Sequence, residues 1–215
     1  MKIKICGVTL VEDAARIAAA DVDFIGLNFW PRSKRYVDLD RAAALAAAAR
    51  AAGPAAIVGV FVDATTEEIA AAVARVGLDV IQLHGAEPAE AAAAVARAAG
   101  RPVWKAIAAG APGDLDGLAA WPVDAVDALL LDAPSPEKGG SGRSFDWNLA
   151  RAARERHPAR RIVLAGGLHA GNVAAAIAAV GPWAVDVASG VEAAPGIKDA
   201  AKLAAFLAAA RAAPT

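Results

Sequence analysis

The sequence predicts a closed parallel (β/α)8 barrel, and three observations carry that prediction. First, short runs of apolar, often β-branched residues alternate with longer alanine-rich segments, eight times over. Alternating units of this kind imply a parallel sheet. Second, several runs are almost wholly apolar, as in Ile57-Val58-Gly59-Val60-Phe61-Val62 and Ala128-Leu129-Leu130-Leu131. Strands read this way when both faces are buried, as parallel sheets covered by helices require. Third, the chain has 215 residues, at the short end of the range for eight such units closed on themselves. A doubly wound open sheet is the alternative. It usually needs fewer strands and one glycine-rich fingerprint after the first, which is absent.

The elements follow in order. Strands are expected near 2–6, 22–29, 55–62, 79–83, 102–107, 126–132, 161–165 and 183–188. Helices are expected near 11–20, 38–52, 65–76, 87–99, 114–120, 146–157, 170–180 and 199–212. Alanine runs such as Ala42–Ala44 and Ala91–Ala94 favour helix with little bulk. The segment 114–120 is short and glycine-rich. No stretch has the composition of a linker, so residues 1–215 read as one domain. The longest irregular segment runs from 133 to 144, a length that is usually functional or mobile. From Ile162 to Val185 there is no charged residue, long enough to span a bilayer. Gly166-Gly167, Gly171-Asn172 and Gly181-Pro182 divide it into strand, loop and helix instead.

Bulk composition narrows the function. Lys plus Arg is 22 and Asp plus Glu is 23, a net charge of −1. That gives no basic footprint for nucleic acid. A single cysteine cannot form an internal disulfide and fits a reducing compartment. The N-terminus lacks a basic-then-apolar signal pattern, so the expected location is cytoplasmic, with no membrane partner. No His, Cys or Asp cluster has metal-ligand spacing and no nucleotide P-loop occurs, so neither metal nor cofactor is expected.

Barrel active sites are built at the C-terminal ends of the strands. Cys6 ends the first strand. A lone cysteine is often a small buried hydrophobe, but at this position it is equally a candidate base. Lys4 lies two residues away and shares its face, where an ammonium would favour the thiolate. Asp186 on strand eight neighbours Lys4 in a closed barrel, so an ion pair within about 6 Å is expected inside it. Asp132 follows three leucines and is either a loop anchor or an acid at the mouth, across from Cys6. Gly140, Ser141 and Gly142 after strand six, Gly166 and Gly167 after strand seven, and Ser189 and Gly190 after strand eight either make tight turns or bind phosphate. Three such loops in barrel order favour phosphate, through free N–H groups and helix N-termini. Arg32, Lys34 and Arg35 form either a solvated basic loop or a carboxylate clamp. His84 reads as a structural hydrogen-bonder.

Taken together, several motifs resemble those of the phosphoribosylanthranilate isomerase family. They are Lys4-Ile5-Cys6-Gly7-Val8-Thr9, Pro31-Arg32-Ser33-Lys34-Arg35-Tyr36, Val58-Gly59-Val60-Phe61-Val62, Gln82-Leu83-His84-Gly85, Leu130-Leu131-Asp132, Gly139 to Trp147, Ala165-Gly166-Gly167-Leu168 and Val185 to Glu192. They run in order from end to end. Arg143-Ser144 and Ala165 are small departures that remove no proposed catalytic group. The resemblance implies an Amadori rearrangement in tryptophan biosynthesis. N-(5-phosphoribosyl)anthranilate would become 1-(2-carboxyphenylamino)-1-deoxyribulose 5-phosphate, in a monomer or a homodimer. It implies Asp132 as general acid, Cys6 as general base and Arg35 as the holder of the anthranilate carboxylate. Two rivals stand beside it. One is the related isomerase of histidine synthesis, which uses two aspartates. The other is a non-catalytic phosphate-ligand binding protein.

Overall fold

The structure, a computed structural model, describes residues 1–133 and 146–214. Eight parallel strands close into the expected barrel: β1 Lys2–Cys6, β2 Phe24–Asn28, β3 Ala56–Phe61, β4 Val80–Leu83, β5 Val103–Ala108, β6 Ala128–Asp132, β7 Arg161–Leu164 and β8 Ala184–Val187. The seam is the pairing of β8 with β1, which sets Lys4 opposite Asp186. Among the described residues the helices are α1 Val11–Ala19, α2 Leu39–Ala52, α3 Thr66–Val76, α4 Ala89–Ala99, α5 Trp147–Arg156, α6 Val173–Val180 and α7 Ala200–Arg211. Local chemistry starts them well. Thr65 caps α3, accepting from the Glu68 N–H while the Glu68 carboxylate accepts from the Thr65 N–H. The stretch from Ile162 to Val185 divides into strand, loop, helix and strand, and no helix among the described residues is long and apolar enough to cross a membrane.

Two segments differ from expectation. The segment after β5 is a 3₁₀ helix, Pro112–Ala120, rather than an α-helix. Gly113 and Gly117 fall inside it, and glycine is a poor former of α-helix. After β8 the chain does not run straight to the last helix. A 3₁₀ turn at Ser189–Val191 leads into a small antiparallel hairpin, β9 Glu192–Ala194 and β10 Ile197–Lys198, before α7 begins. Strands of three and two residues leave no readable alternation in sequence.

Strand parity sorts the core into two layers. The larger layer packs strand residues such as Ile5, Ile25, Ile57, Ile81, Leu129 and Val185 against the helices. The smaller layer fills the barrel with Phe24, Val58, Val80, Trp104, Ala128, Leu130, Val163 and Ala184. Residues two apart on a strand share a face. The inward set therefore continues upward into Lys4 and Cys6, Asn28, Gln82, Asp132 and Asp186. At its N-terminal end the interior is an aromatic plug. Phe24 meets Trp104 edge to face at 4.8 Å, and Trp183 lies 5.8 and 5.7 Å from the two. The three rings pack against one another, so the polar residues above them sit on a rigid base. Trp104→Ala should cost about 3–5 kcal/mol of unfolding free energy in a denaturant titration. A loss below about 1 kcal/mol would contradict this role for the plug.

Candidate active site

Above the plug, the mouth holds a cavity of about 500 Å³. Cys6, Asp132, Asp186, Arg35, Gly166, Gly167 and Ser189 all line it. Strand ends and loops separated by the length of the chain thus meet at one place. Gly166 and Gly167 turn the chain through positive φ, 81° and 64°. Gly190 does not stand on the wall. A Cβ there would lie 2.0 Å from the Leu168 carbonyl oxygen, so glycine lets the loops after β7 and β8 touch. Gly140, Ser141 and Gly142, with the rest of 134–144, lie outside the described residues.

The expected ion pair is present. Lys4 Nζ lies 3.0 Å from Asp186 Oδ1, with Lys4 fully buried and Asp186 8% exposed. Burial opposes the Lys4 charge, but the acidic groups of Asp186 and Cys6 outweigh it and hold the amine above its ordinary value. Opposite Cys6 in the register stands Gly26. A Cβ there would come within 2.8 Å of Cys6 Sγ and 3.1 Å of Lys4 Nζ, so the missing side chain makes room for both. The pull of Lys4 on the thiol is real but is not the larger effect. Burial pushes the Cys6 thiol above its ordinary value, and the Asp186 charge adds to the rise. The ammonium does favour the thiolate, as expected, but desolvation outweighs it.

Asp132 is held on both oxygens. Oδ1 accepts from the Ala133 N–H at 2.8 Å, and Oδ2 lies 3.5 Å from His84 Nε2. His84 Nδ1 in turn meets Gln82 Nε2 at 2.8 Å. His84 is the structural hydrogen-bonder expected, and it also belongs to the wall of the site beside Asp132. Arg32 and Lys34 are exposed and Arg35 is half-buried, and all three border the cavity. Arg35 is engaged from behind by a residue the sequence reading did not single out. Its Nε and Nη2 donate to Glu192 Oε1 and Oε2 at 2.8 and 2.7 Å. Lys198 donates to Glu192 at 2.9 Å and to the carbonyl oxygen of Cys6 at 2.6 Å. In sequence, only an acid after Gly190-Val191 and a lysine after Pro195-Gly196-Ile197 hinted at this.

A family model described as N-(5'phosphoribosyl)anthranilate (PRA) isomerase matches residues 3–209. The chain belongs to the PRA isomerase family. An N-(5'-phosphoribosyl)anthranilate isomerase from Myxococcus xanthus is 45% identical, across 98% of this chain and 96% of that one. The isomerase from Azorhizobium caulinodans is 44% identical, across 99% and 92%. Among solved structures, an isomerase in complex with reduced 1-(o-carboxyphenylamino)-1-deoxyribulose 5-phosphate superposes with a TM-score of 0.84, at 35% identity over 98% of each chain. The Thermotoga maritima isomerase superposes with a TM-score of 0.86 at 38% identity, again over 98% of each.

For this PRA isomerase the state of the thiol is open to direct chemistry, because Cys6 is the chain's single cysteine and lines the cavity. A thiol whose pKa is raised is protonated at neutral pH, and its thiolate fraction grows as pH climbs. Alkylation by iodoacetamide should be slow at pH 7 and still rising above the ordinary thiol range. A rate that levels off below pH 7 would show a preformed thiolate and contradict the dominance of burial.

Proposed function

We propose that this enzyme carries out the Amadori rearrangement of N-(5-phosphoribosyl)anthranilate with Cys6 as general base and Asp132 as general acid. One observation carries the reading: the thiol and the carboxyl stand on the wall of a single cavity whose remaining surface suits a phosphosugar. Asp132 gives a proton to the furanose ring oxygen as the bond from that oxygen to C1 breaks. The lone pair of the anthranilate nitrogen closes the C1–N double bond of a Schiff base. Cys6, its thiol having first released its proton to solvent, then takes the proton from C2 as the thiolate, and the electron pair moves through C1 to nitrogen to give an enolamine. Tautomerisation moves a proton from the C2 hydroxyl to C1 and leaves the ketone.

Binding follows from charge and shape. The N–H groups of Gly166 and Gly167, with Ser189, suit the phosphate, and α6 begins a few residues on. Gly140, Ser141 and Gly142 are expected to contribute to the same phosphate site but lie outside the described residues, and Gly190 supports it from behind, against the Leu168 carbonyl. Asp186 is read as an acceptor for a sugar hydroxyl, and Arg35 as the partner of the ring carboxylate. The chain is read as one domain over 1–215, cytoplasmic, serving tryptophan biosynthesis without metal or cofactor. A homodimer fits as well as a monomer, since the Thermotoga maritima isomerase is a dimer from which monomers have been generated.

Cys6→Ser and Asp132→Asn should each lower kcat by about 100-fold or more while the product analogue still binds. The fluorescence of the anthranilate adduct reports the turnover. Rates within a few-fold of the unsubstituted enzyme would remove the residue concerned from the mechanism. Binding of the adduct without turnover by the unsubstituted enzyme would favour the non-catalytic rival.

A further inference from the structure

Behind Arg35 lies a cluster of buried charge that the chemistry above does not use. Glu192 is 6% exposed and Lys198 is 4% exposed, and neither lines the cavity. Both sit on the hairpin β9–β10, which the barrel architecture does not require. Burying an acid and a base costs several kcal/mol per ion unless each is fully partnered. Here each is. Glu192 accepts from Arg35 through both oxygens, and from Lys198 and the Gly196 N–H through Oε1. Lys198 Nζ also donates to the Cys6 carbonyl oxygen, and its backbone N–H donates to the buried Asp13 at 2.9 Å. Thr9, on the loop after β1, donates its hydroxyl to the Gly196 carbonyl oxygen at 2.8 Å. The hairpin is therefore fixed to the end of β1 at several points.

Arg35 is confined on a further side. Gly7 has φ of +71°, and a Cβ there would lie 2.2 Å from Arg35 Cδ. The shaft of Arg35 passes over Gly7 and its head is forked by Glu192. The long, flexible side chain is thus ordered before any ligand arrives, which reduces the entropy lost on binding. Lys198 keeps Glu192 from cancelling the local positive charge. Arg35, Lys198 and Glu192 together carry +1, as binding a carboxylate requires.

We infer that Glu192 and Lys198 are positioning residues that hold Arg35 in register with Cys6, so that carboxylate capture and proton abstraction act on one substrate pose. The inference rests on Arg35 meeting the ring carboxylate. It also excludes a competing role. If Glu192 merely occupied the guanidinium until substrate displaced it, removing Glu192 would tighten binding. The fork geometry and the two other donors on the Glu192 carboxylate, the Gly196 N–H and Lys198 Nζ, assign it the opposite effect.

The test compares two probes on the full chain. One is reduced 1-(o-carboxyphenylamino)-1-deoxyribulose 5-phosphate, and the other is its phenylamino counterpart lacking the ring carboxylate. Binding is read by calorimetry for Glu192→Gln, Glu192→Ala, Lys198→Met and Arg35→Ala. Each Glu192 variant should weaken the carboxylated probe by about tenfold or more, the scale of one lost charged hydrogen bond, and leave the other probe within about twofold. Arg35→Ala combined with Glu192→Gln should be no worse than Arg35→Ala alone. Equal losses on both probes would mean a merely structural role and overturn the inference, as would tighter binding of the carboxylated probe. If Glu192→Ala does not fold, Glu192→Gln decides, since it keeps the shape and one acceptor. Should Arg35→Ala itself leave the carboxylated probe unaffected, the assignment of Arg35 fails first, and the two failures are told apart.

Discussion

A single buried ion pair organises this molecule. Lys4 and Asp186 meet at 3.0 Å on the seam where the last barrel strand closes onto the first. Neither charge could be taken from water alone at tolerable cost, so each requires the other. The pair also marks the register. A slip of one residue between β8 and β1 would turn Lys4 out into the helix layer and carry Cys6 off the cavity wall. Placement of the thiol and closure of the barrel are thus one event. The missing side chain at Gly26 belongs to the same arrangement, because any Cβ there would collide with the thiol that the seam positions.

From that seam the interior runs as a gradient. Below lie the rings of Phe24, Trp104 and Trp183, packed edge to face. Midway come the ion pair and Gln82, polar but buried. At the top stand Cys6, His84 and Asp132 on a cavity wide enough for a sugar phosphate with an aromatic substituent. Burial changes the chemistry along this axis. Deep in the barrel, charges persist only in pairs. At the mouth, burial pushes the Cys6 thiol above its ordinary value despite the ammonium beside it. The Lys4 ammonium limits how far the thiol's pKa climbs.

Much of this was legible in sequence because it depends on parity and chain order. The two-residue spacing of Lys4 and Cys6 placed both inside the barrel, and the adjacency of strands eight and one gave Lys4 its partner. Strand ends located Asp132, Gly166, Gly167 and Ser189 at one mouth. What was not legible depends on depth and on very short elements. The contest between burial and the ammonium at Cys6 turns on how much water the site excludes, which no spacing encodes. The hairpin β9–β10 has too few residues to show a period, so no sequence pattern assigned Glu192 and Lys198 a role. The family resemblance named Arg35 as the expected carboxylate holder, but nothing in the sequence showed it as a side chain already forked by an internal carboxylate.

The Lys4–Asp186 pair is read here as fixing the register and placing the thiol, without adding net stability over an apolar pair. The most direct measurement of that role is the kcat/KM of a Lys4→Met, Asp186→Leu double variant, taken beside its unfolding free energy. Replacing both ions by apolar groups is often neutral or stabilising, whereas removing one strands the other. The account predicts a double variant at least as stable as either single one, with kcat/KM reduced by about 100-fold or more. A double variant that turns over within a few-fold of the unsubstituted enzyme would contradict it.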